Sequence, residues 1–529
     1  MKRRMFLGTA AAVAASSAAL PRIAIGQAAG ARTLRLVPHA NLTLLDPIFT
    51  TALVTVSHGW AVYDALFAIN SKFEIRPQMA DGFTVSDDGR TYLIKLRDGL
   101  KFHNGEPVRA QDAAPSLARW AKRDSLGVTV GGFVDDWGVQ DDRTLKITLK
   151  QKLPIFMQAI ASGGASMPFI VPEHVAKSDP FKQNIDTTGS GPLKFVKSEF
   201  VPGSLVVYEK NTAYVPRQEP ADWTSGGKVM HFDRVEWKVI PDAATASAAL
   251  QNGEVDWYEQ VHPDLVAPLR KNPNIVIGSA NPTGFNGVMR FNHLHPPFNN
   301  LAIRRAIMMA VNQDDHMTAI TGGDATAFKT CKAMLPCGTT YSRETGGPFM
   351  QGNLDKARAM LKDAGYKGEK VVVISPSDFP TIGPLGEVTN DILTKLGMNV
   401  EFVSTDWGTV TQRRSSKEPV EKGGWSILHT WFPSNIAGTP VEQLFIRGLG
   451  QSGWFGWYGD EEMEKRVQAW LVAPDPAAAQ AAADAVQARA FDQVPYVPVG
   501  QFQIRTARRK NLQGQIEGAA AYMWNVRRV

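Results

Sequence analysis

A few groups of residues in this chain have types and spacings that could carry chemistry. Ser225-Gly226-Gly227-Lys228 has the S-x-x-K spacing of a serine nucleophile and its lysine base, an arrangement that works only when both side chains share one helical turn. Two glycines between them, following Pro220 and Trp223, predict a loop instead. Gly448-Leu449-Gly450-Gln451-Ser452-Gly453 fits G-x-G-x-x-G. A dinucleotide site needs a strand before that motif and a helix after it, so that the helix N-terminus meets the pyrophosphate. Trp454-Phe455-Gly456-Trp457 follows here, which predicts a loop. His293-Leu294-His295 could aim two imidazoles from one strand face at a metal, with His429 as a distant third. Pro296-Pro297 follows at once and no third ligand is near in sequence, so no metal site is assigned. G-x-S-x-G and H-E-x-x-H are both missing from the sequence. The pattern speaks against an enzyme and for a binding protein, with no cofactor expected. Cys331 and Cys337 are the chain's two cysteines, and in an oxidising compartment such a close pair is expected to form a disulfide.

The elements that position these groups begin after a leader. Lys2-Arg3-Arg4-Met5-Phe6-Leu7 is a charged head, 8–20 is a weakly apolar run, and small residues lead to Ala28. That order is a secretory signal peptide over 1–28, and the arginine pair before Phe-Leu resembles a twin-arginine export address. A periplasmic location with the leader removed is expected. No later stretch is long and apolar enough to span a bilayer. The 529-residue chain has a formal charge of +6. Lys2, Arg3, Arg4 and Arg22 leave with the leader, which holds no acid, so the mature balance is +2. So small and dispersed a charge does not suit nucleic-acid binding.

About 500 residues are too many for one core, and two or three lobes are expected. The chain reads as an edge strand at 33–37, a helix at 57–69, a hairpin through Gly89 and a helix capped by Asp112. A second hairpin turns at 141–143, and Gly189-Ser190-Gly191-Pro192 breaks the chain. Strands follow at 205–209 and 232–240, then a helix at 243–252 stopped by Gly253, and a strand at 255–258. From about 285 helices and strands alternate: helices at 301–311, 355–364 and 387–396, strands at 371–374 and 400–404. Such alternation predicts an α/β lobe with a helix-covered sheet. Helices at 460–471 and 476–491 precede a closing segment from 495.

Several segments together point to one family. They include Val62-Tyr63-Asp64-Ala65-Leu66, Pro77-Gln78-Met79-Ala80, the run Leu96-Arg97-Asp98-Gly99-Leu100-Lys101-Phe102-His103-Asn104-Gly105-Glu106-Pro107-Val108, and Ala110-Gln111-Asp112. Gly189 to Phe195, Ala248 to Asp256, Phe291-Asn292 with Pro297-Phe298, and Arg304-Arg305-Ala306-Ile307 continue the series in order. The chain resembles the extracytoplasmic solute-binding proteins of family 5, the peptide, opine and nickel class that serves ABC importers. The resemblance implies a two-lobed periplasmic binding protein fold (type II, Venus-flytrap) with an extra inserted small domain. Domain I would comprise 29–75, 190–284 and 495–529, domain II would be the insertion at 76–189, and domain III would be 285–494. It implies a small organic ligand held between domains I and III, a permease with its ATPase subunits as partners, and a monomer. A nickel-type metallophore receptor is the alternative on the same fold, and a secreted hydrolase is a third reading.

The chain has 13 tryptophans, and aromatic faces are efficient linings for a cleft that desolvates a small ligand. Trp257, Trp407, Trp431, Trp454 and Trp457 fall at expected element ends. Peptide-binding members carry an Asp shortly after a Trp, where it pairs with the ligand ammonium. The corresponding run here, Trp431-Phe432-Pro433-Ser434-Asn435-Ile436, has no carboxylate. Either Glu259 or Asp406 takes the role, or the ligand has no free amino terminus. Arg290 is a candidate partner for a ligand carboxylate. The ligand-binding set is therefore Trp257, Glu259, Arg290, Asp406, Trp407, Trp431 and Asn435, with the loop at 161–167 able to bring backbone close through Gly163-Gly164.

Overall fold

In the computed structural model, residues 32–162 and 165–529 are described. The expected leader at 1–28 and Gly163-Gly164 lie outside the described residues. Three larger sheets carry the architecture. The first runs in the order Ile275–Ser279, Arg505–Arg509, Trp257–Tyr258, Thr33–Val37, Arg234–Lys238, Leu205–Lys210, Leu193–Phe195. Thr33–Val37 was expected at an edge, yet it lies in the middle and is parallel to both neighbours. Its alternation comes from Arg35, which sits 3.6 Å from Glu236 rather than facing open solvent. A single charged residue between apolar neighbours imitates a wet face when its counter-charge comes from a distant strand.

The second sheet is ordered Phe328–Lys329, Tyr496–Phe502, Phe285–Phe291, Ile427–Pro433, Lys370–Pro376, Asn399–Thr405. Tyr496–Phe502, expected in the closing segment of domain I, pairs antiparallel with Phe285–Phe291 in this second sheet. Every residue of that strand is buried, which requires cover on both faces. The third sheet is antiparallel, with Ala80–Val85, Thr91–Leu96, Thr144–Leu149 and Val134–Asp141 in that order.

Local chemistry explains the helix ends. Ala243–Asn252 starts where the Asp242 carboxylate accepts from Thr245 N at 2.7 Å and stops at Gly253, whose φ of 80° suits a residue without Cβ. Asp112 does not cap its helix as expected. The helix begins at Ala110, and Asp112 reaches back to accept from Arg109 N at 2.8 Å, the return half of a capping box. The helix expected at 57–69 runs instead over Leu53–Val62, followed by the strand Phe67–Ile69. Nearly all its residues are buried, so no polar face marks its period, and Val62 O is taken by Gly191 N. The helix expected from 387 begins at Gly383, with Pro384 in its first turn.

Three buried polar groups tie the core. The Lys228 ammonium lies 2.7 Å from Asp64 Oδ1, over the rings of Trp60 and Trp524. Tyr214 OH donates to the other Asp64 oxygen at 2.8 Å. Ser225 Oγ donates instead to Asp222 O, so serine and lysine of the S-x-x-K run are not a catalytic pair. Elsewhere Thr389 Oγ1 links His316 Nε2 and His429 Nε2 at 3.1 and 2.8 Å. Burial pushes His316 down to about 4 and His429 well below the ordinary imidazole value. His58, bonded to Tyr208 OH, is pushed down to about 3 by burial.

These histidines set an acid limit. Each is neutral when folded and titrates near 6.5 when unfolded, so the unfolded chain binds more protons between the two values. Their contribution is complete above about pH 6.5 and is lost as pH falls toward the folded values, at about 1.4 kcal/mol per histidine per pH unit. Urea midpoints measured from pH 8 to 4.5 are expected to be level above 7 and to fall steeply below 6.5. A midpoint unchanged between pH 7 and 5 would contradict this.

Candidate ligand-binding cleft

A cleft with an empty volume of about 1080 Å³, its mouth included, is lined by Thr430 to Pro433 of the second sheet and by His39, just past the first-sheet strand Thr33–Val37. Thr51, Ala52, Leu53, Val56, Trp60, Trp223 and Tyr522 form one wall, and Phe379, Trp407, Trp431, Phe432, Phe445 and Trp454 the other. The aromatic wall is rigidly built. Phe379 stands edge-on to Trp407 and Trp431, with centroids 5.1 and 5.8 Å apart. Trp431 Nε1 donates to Thr381 Oγ1 at 3.0 Å, and Phe445 meets Trp454 at 4.7 Å. Edge-to-face packing fixes ring orientation while leaving faces for a guest.

One cation interrupts this lining. Arg414 follows the short helix Trp407–Arg413 as its C-cap and is only 2 % exposed. Its guanidinium lies 4.7 Å from the Phe455 ring centroid, 5.6 Å from that of Trp454 and 5.7 Å from that of Trp407. Nη2 donates to Thr50 Oγ1 at 3.1 Å, while Nε has no partner. Among the described residues no carboxylate lies within ion-pair distance of Arg414. Burial alone pushes it down to about 9. A buried cation without a counter-charge is costly, and an anion entering the cleft would relieve that cost.

Hydrogen bonds cross between the two walls around the cleft. Besides Arg414 to Thr50, Trp454 Nε1 donates to Thr51 Oγ1 at 3.0 Å. Thr381 Oγ1 donates to Gln260 Oε1 at 3.4 Å. These polar contacts add to an apolar core that includes residues of both walls, among them Trp60, Trp223, Phe379 and Trp431.

The expected site residues divide into three groups. Trp407, Trp431 and Asn435 line the cleft, and Asn435 Oδ1 is held by Asn281 Nδ2 and Thr283 Oγ1, both at 3.2 Å. Trp257 and Glu259 line an adjoining chamber. Arg290 and Asp406 line neither of these cavities. Arg290 donates to Phe455 O, Phe445 O and Pro495 O at 2.8–2.9 Å, so it holds the backbone behind the aromatic wall. Asp406 is the N-cap of Trp407–Arg413, accepting from Thr409 N at 2.9 Å. Of the other tryptophans at expected element ends, Trp454 lines the cleft and Trp457 packs against Trp425.

Sequence reasoning missed Arg414 and the aromatic residues Phe379, Trp60, Trp223 and Tyr522. Arg413-Arg414 at a helix end reads as two dipole-favoured surface cations. Only Arg413 does that, donating to Gly423 O and Gly424 O. The histidine pair does not converge: His293 Nε2 meets Pro495 O, and His295 Nε2 meets Lys417 O. The G-x-G-x-x-G run forms a short turn at Gly450–Ser452 with no helix after it. Cys331 and Cys337 form a disulfide, with Cα atoms 5.8 Å apart.

Two lobes around an aromatic cleft with a buried cation, and with the serine–lysine pair disengaged, define a protein that captures a solute. Residues 74–437 match the bacterial extracellular solute-binding proteins, family 5 Middle. The chain belongs to this family. It is 35% identical, over 98% of both chains, to "Probable peptide ABC transporter periplasmic-binding protein y4tO" of Sinorhizobium fredii. Its fold is that of the binding protein AgaA from A. tumefaciens R10 in complex with agropinic acid, at 20% identity and a TM-score of 0.80, covering 94% of this chain and 99% of that one. The dipeptide-binding protein of Pseudoalteromonas sp. SM9913 in complex with Met-Leu superposes with a TM-score of 0.77 at 19% identity, covering 94% of this chain and all of that one.

Proposed function

We propose that the protein captures a small organic acid of peptide-like or amino-acid-derived character between its lobes and delivers it to the permease of an ABC importer. The observation that carries the reading is Arg414, a buried guanidinium with no acidic partner among the described residues, framed by Trp407, Trp454 and Phe455. A ligand carboxylate there would meet a charged donor in a water-poor site, and the aromatic faces would take an apolar or planar portion. The relative named for peptide transport, and the agropinic acid and Met-Leu of the similar structures, support an acidic ligand of this size.

The chain then works in the periplasm after loss of its leader, as a monomer and without covalent chemistry, and ATP hydrolysis by separate subunits drives transport. The residues proposed to contact ligand are Arg414, Trp407, Trp431, Trp454 and Asn435. The lobes are proposed as 32–75, 190–284 and the tail from about 503, against 285–502, with 76–189 inserted.

Thermal shift of the refolded, ligand-stripped protein against acidic, neutral and cationic peptides, amino-acid derivatives, sugars and metal chelates tests this. A ligand at 100 times its dissociation constant adds about 2.7 kcal/mol of stability. Hits are expected among compounds with a carboxylate. Hits confined to sugars, cations or metal chelates would overturn the reading.

A further inference from the structure

The aromatic cleft does not end at its own walls. Leu53, Ala519 and Ala520 line both it and a second chamber, whose empty volume is about 710 Å³. The two are therefore adjoining compartments separated by small or flexible apolar side chains. Their linings differ in chemistry. The cleft is aromatic with one cation, Arg414. The second chamber carries the carboxylates of Glu259 and Glu517, the guanidinium of Arg508 and the amide of Gln515.

Two side chains in this chamber have unmet hydrogen-bonding capacity. Gln515 has both Nε2 and Oε1 buried without a partner, although buried amides are almost always bonded and an orphaned one is destabilising. Glu259 is 6 % exposed. Its Oε2 accepts from His39 N at 2.8 Å and stands 2.8 Å from His39 Nδ1. Among the described residues, Oε1 has no partner, and no lysine or arginine pairs with Glu259. Arg508, the chamber's cation, already donates to Leu512 O at 2.9 Å. The chamber is thus net acidic and holds one free carboxylate oxygen and one unused amide.

We infer that this chamber is a second compartment of the ligand site and takes the protonated amine of an extended ligand, with Glu259 as its counter-ion and Gln515 as its hydrogen-bonding neighbour. The inference rests on the reading of the aromatic cleft as an acid-binding site. It supplies, from the opposite lobe, the negative group missing at Ser434-Asn435. The ligand would be an extended zwitterion such as a short peptide: its carboxylate at Arg414, an apolar portion among the tryptophans, and its amine past Leu53.

The test is calorimetric binding of the tripeptide Ala-Gly-Phe and its N-acetyl form to the refolded full-length mature protein. The wild type is expected to prefer the free amine by about tenfold or more. Glu259→Gln should reduce that preference to less than about threefold by weakening only the free-amine form. Gln515→Leu, which breaks no bond in the structure, should weaken the same form alone and guards against misfolding of the first variant. Equal binding of the two forms by the wild type, equal weakening of both by Glu259→Gln, or binding of neither would overturn the inference. Arg414→Gln separates the two readings. If it leaves both tripeptides unaffected, the carboxylate reading falls, and the amine preference alone decides this one.

Discussion

Replacing Arg414 by methionine is expected to weaken the best acidic ligand about 100-fold or more while leaving the unliganded protein as stable as before, or more so. The two effects diverge because the guanidinium has no counter-ion in the protein. The cost of its burial is offset only in part, by Thr50 and the surrounding rings, in the unliganded state, and burial pushes it down to about 9. A ligand carboxylate would remove that cost on binding, so the charge works in the complex and against the empty protein. Methionine retains comparable bulk against Trp407, Trp454 and Phe455. Calorimetry and thermal unfolding of the same preparation check both halves. Lost affinity together with lost stability would mean that Arg414 is only a packing element. Unchanged affinity would mean that the ligand's charge lies elsewhere.

Asp64→Ala is expected to give the largest loss of stability, about 3–5 kcal/mol by urea unfolding. Lys228, fully buried, would keep its ammonium with no carboxylate beside it. Tyr214 OH would lose its acceptor as well. The pair as a whole need not be worth so much, because desolvation offsets most of its attraction. Asp64→Leu with Lys228→Met should therefore recover most of the loss. The single variant should also weaken ligand binding, since Lys228 sits 4.5 Å over Trp60, a residue of the cleft wall. A double variant no better than Asp64→Ala would show that the site depends on the charges themselves.

The parts of this protein legible in its sequence are those governed by neighbours along the chain. The Asp242 to Gly253 helix, the hairpin turning at Gly89, the second hairpin and the Cys331–Cys337 bridge all lie within spans short enough for local chemistry to dictate. The family could be recognised for the same reason, because its marks are contiguous turns and strand ends. What tertiary structure decided is which side chains turn inward. Arg413 and Arg414 are adjacent and chemically identical, yet one is spent on loop carbonyls and the other is enclosed by rings from a segment 40 residues away. Arg290 and Asp406 had suitable chemistry, but carbonyls and a helix N-terminus claimed them. Thr33–Val37 became a central strand because strands 200 residues downstream cover it on both sides. The sequence alone determined the family, most of the local elements and the set of groups able to bind. Their assignment to cap, core or cleft came from long-range packing, because the cost of burying a polar group depends on what surrounds it in space.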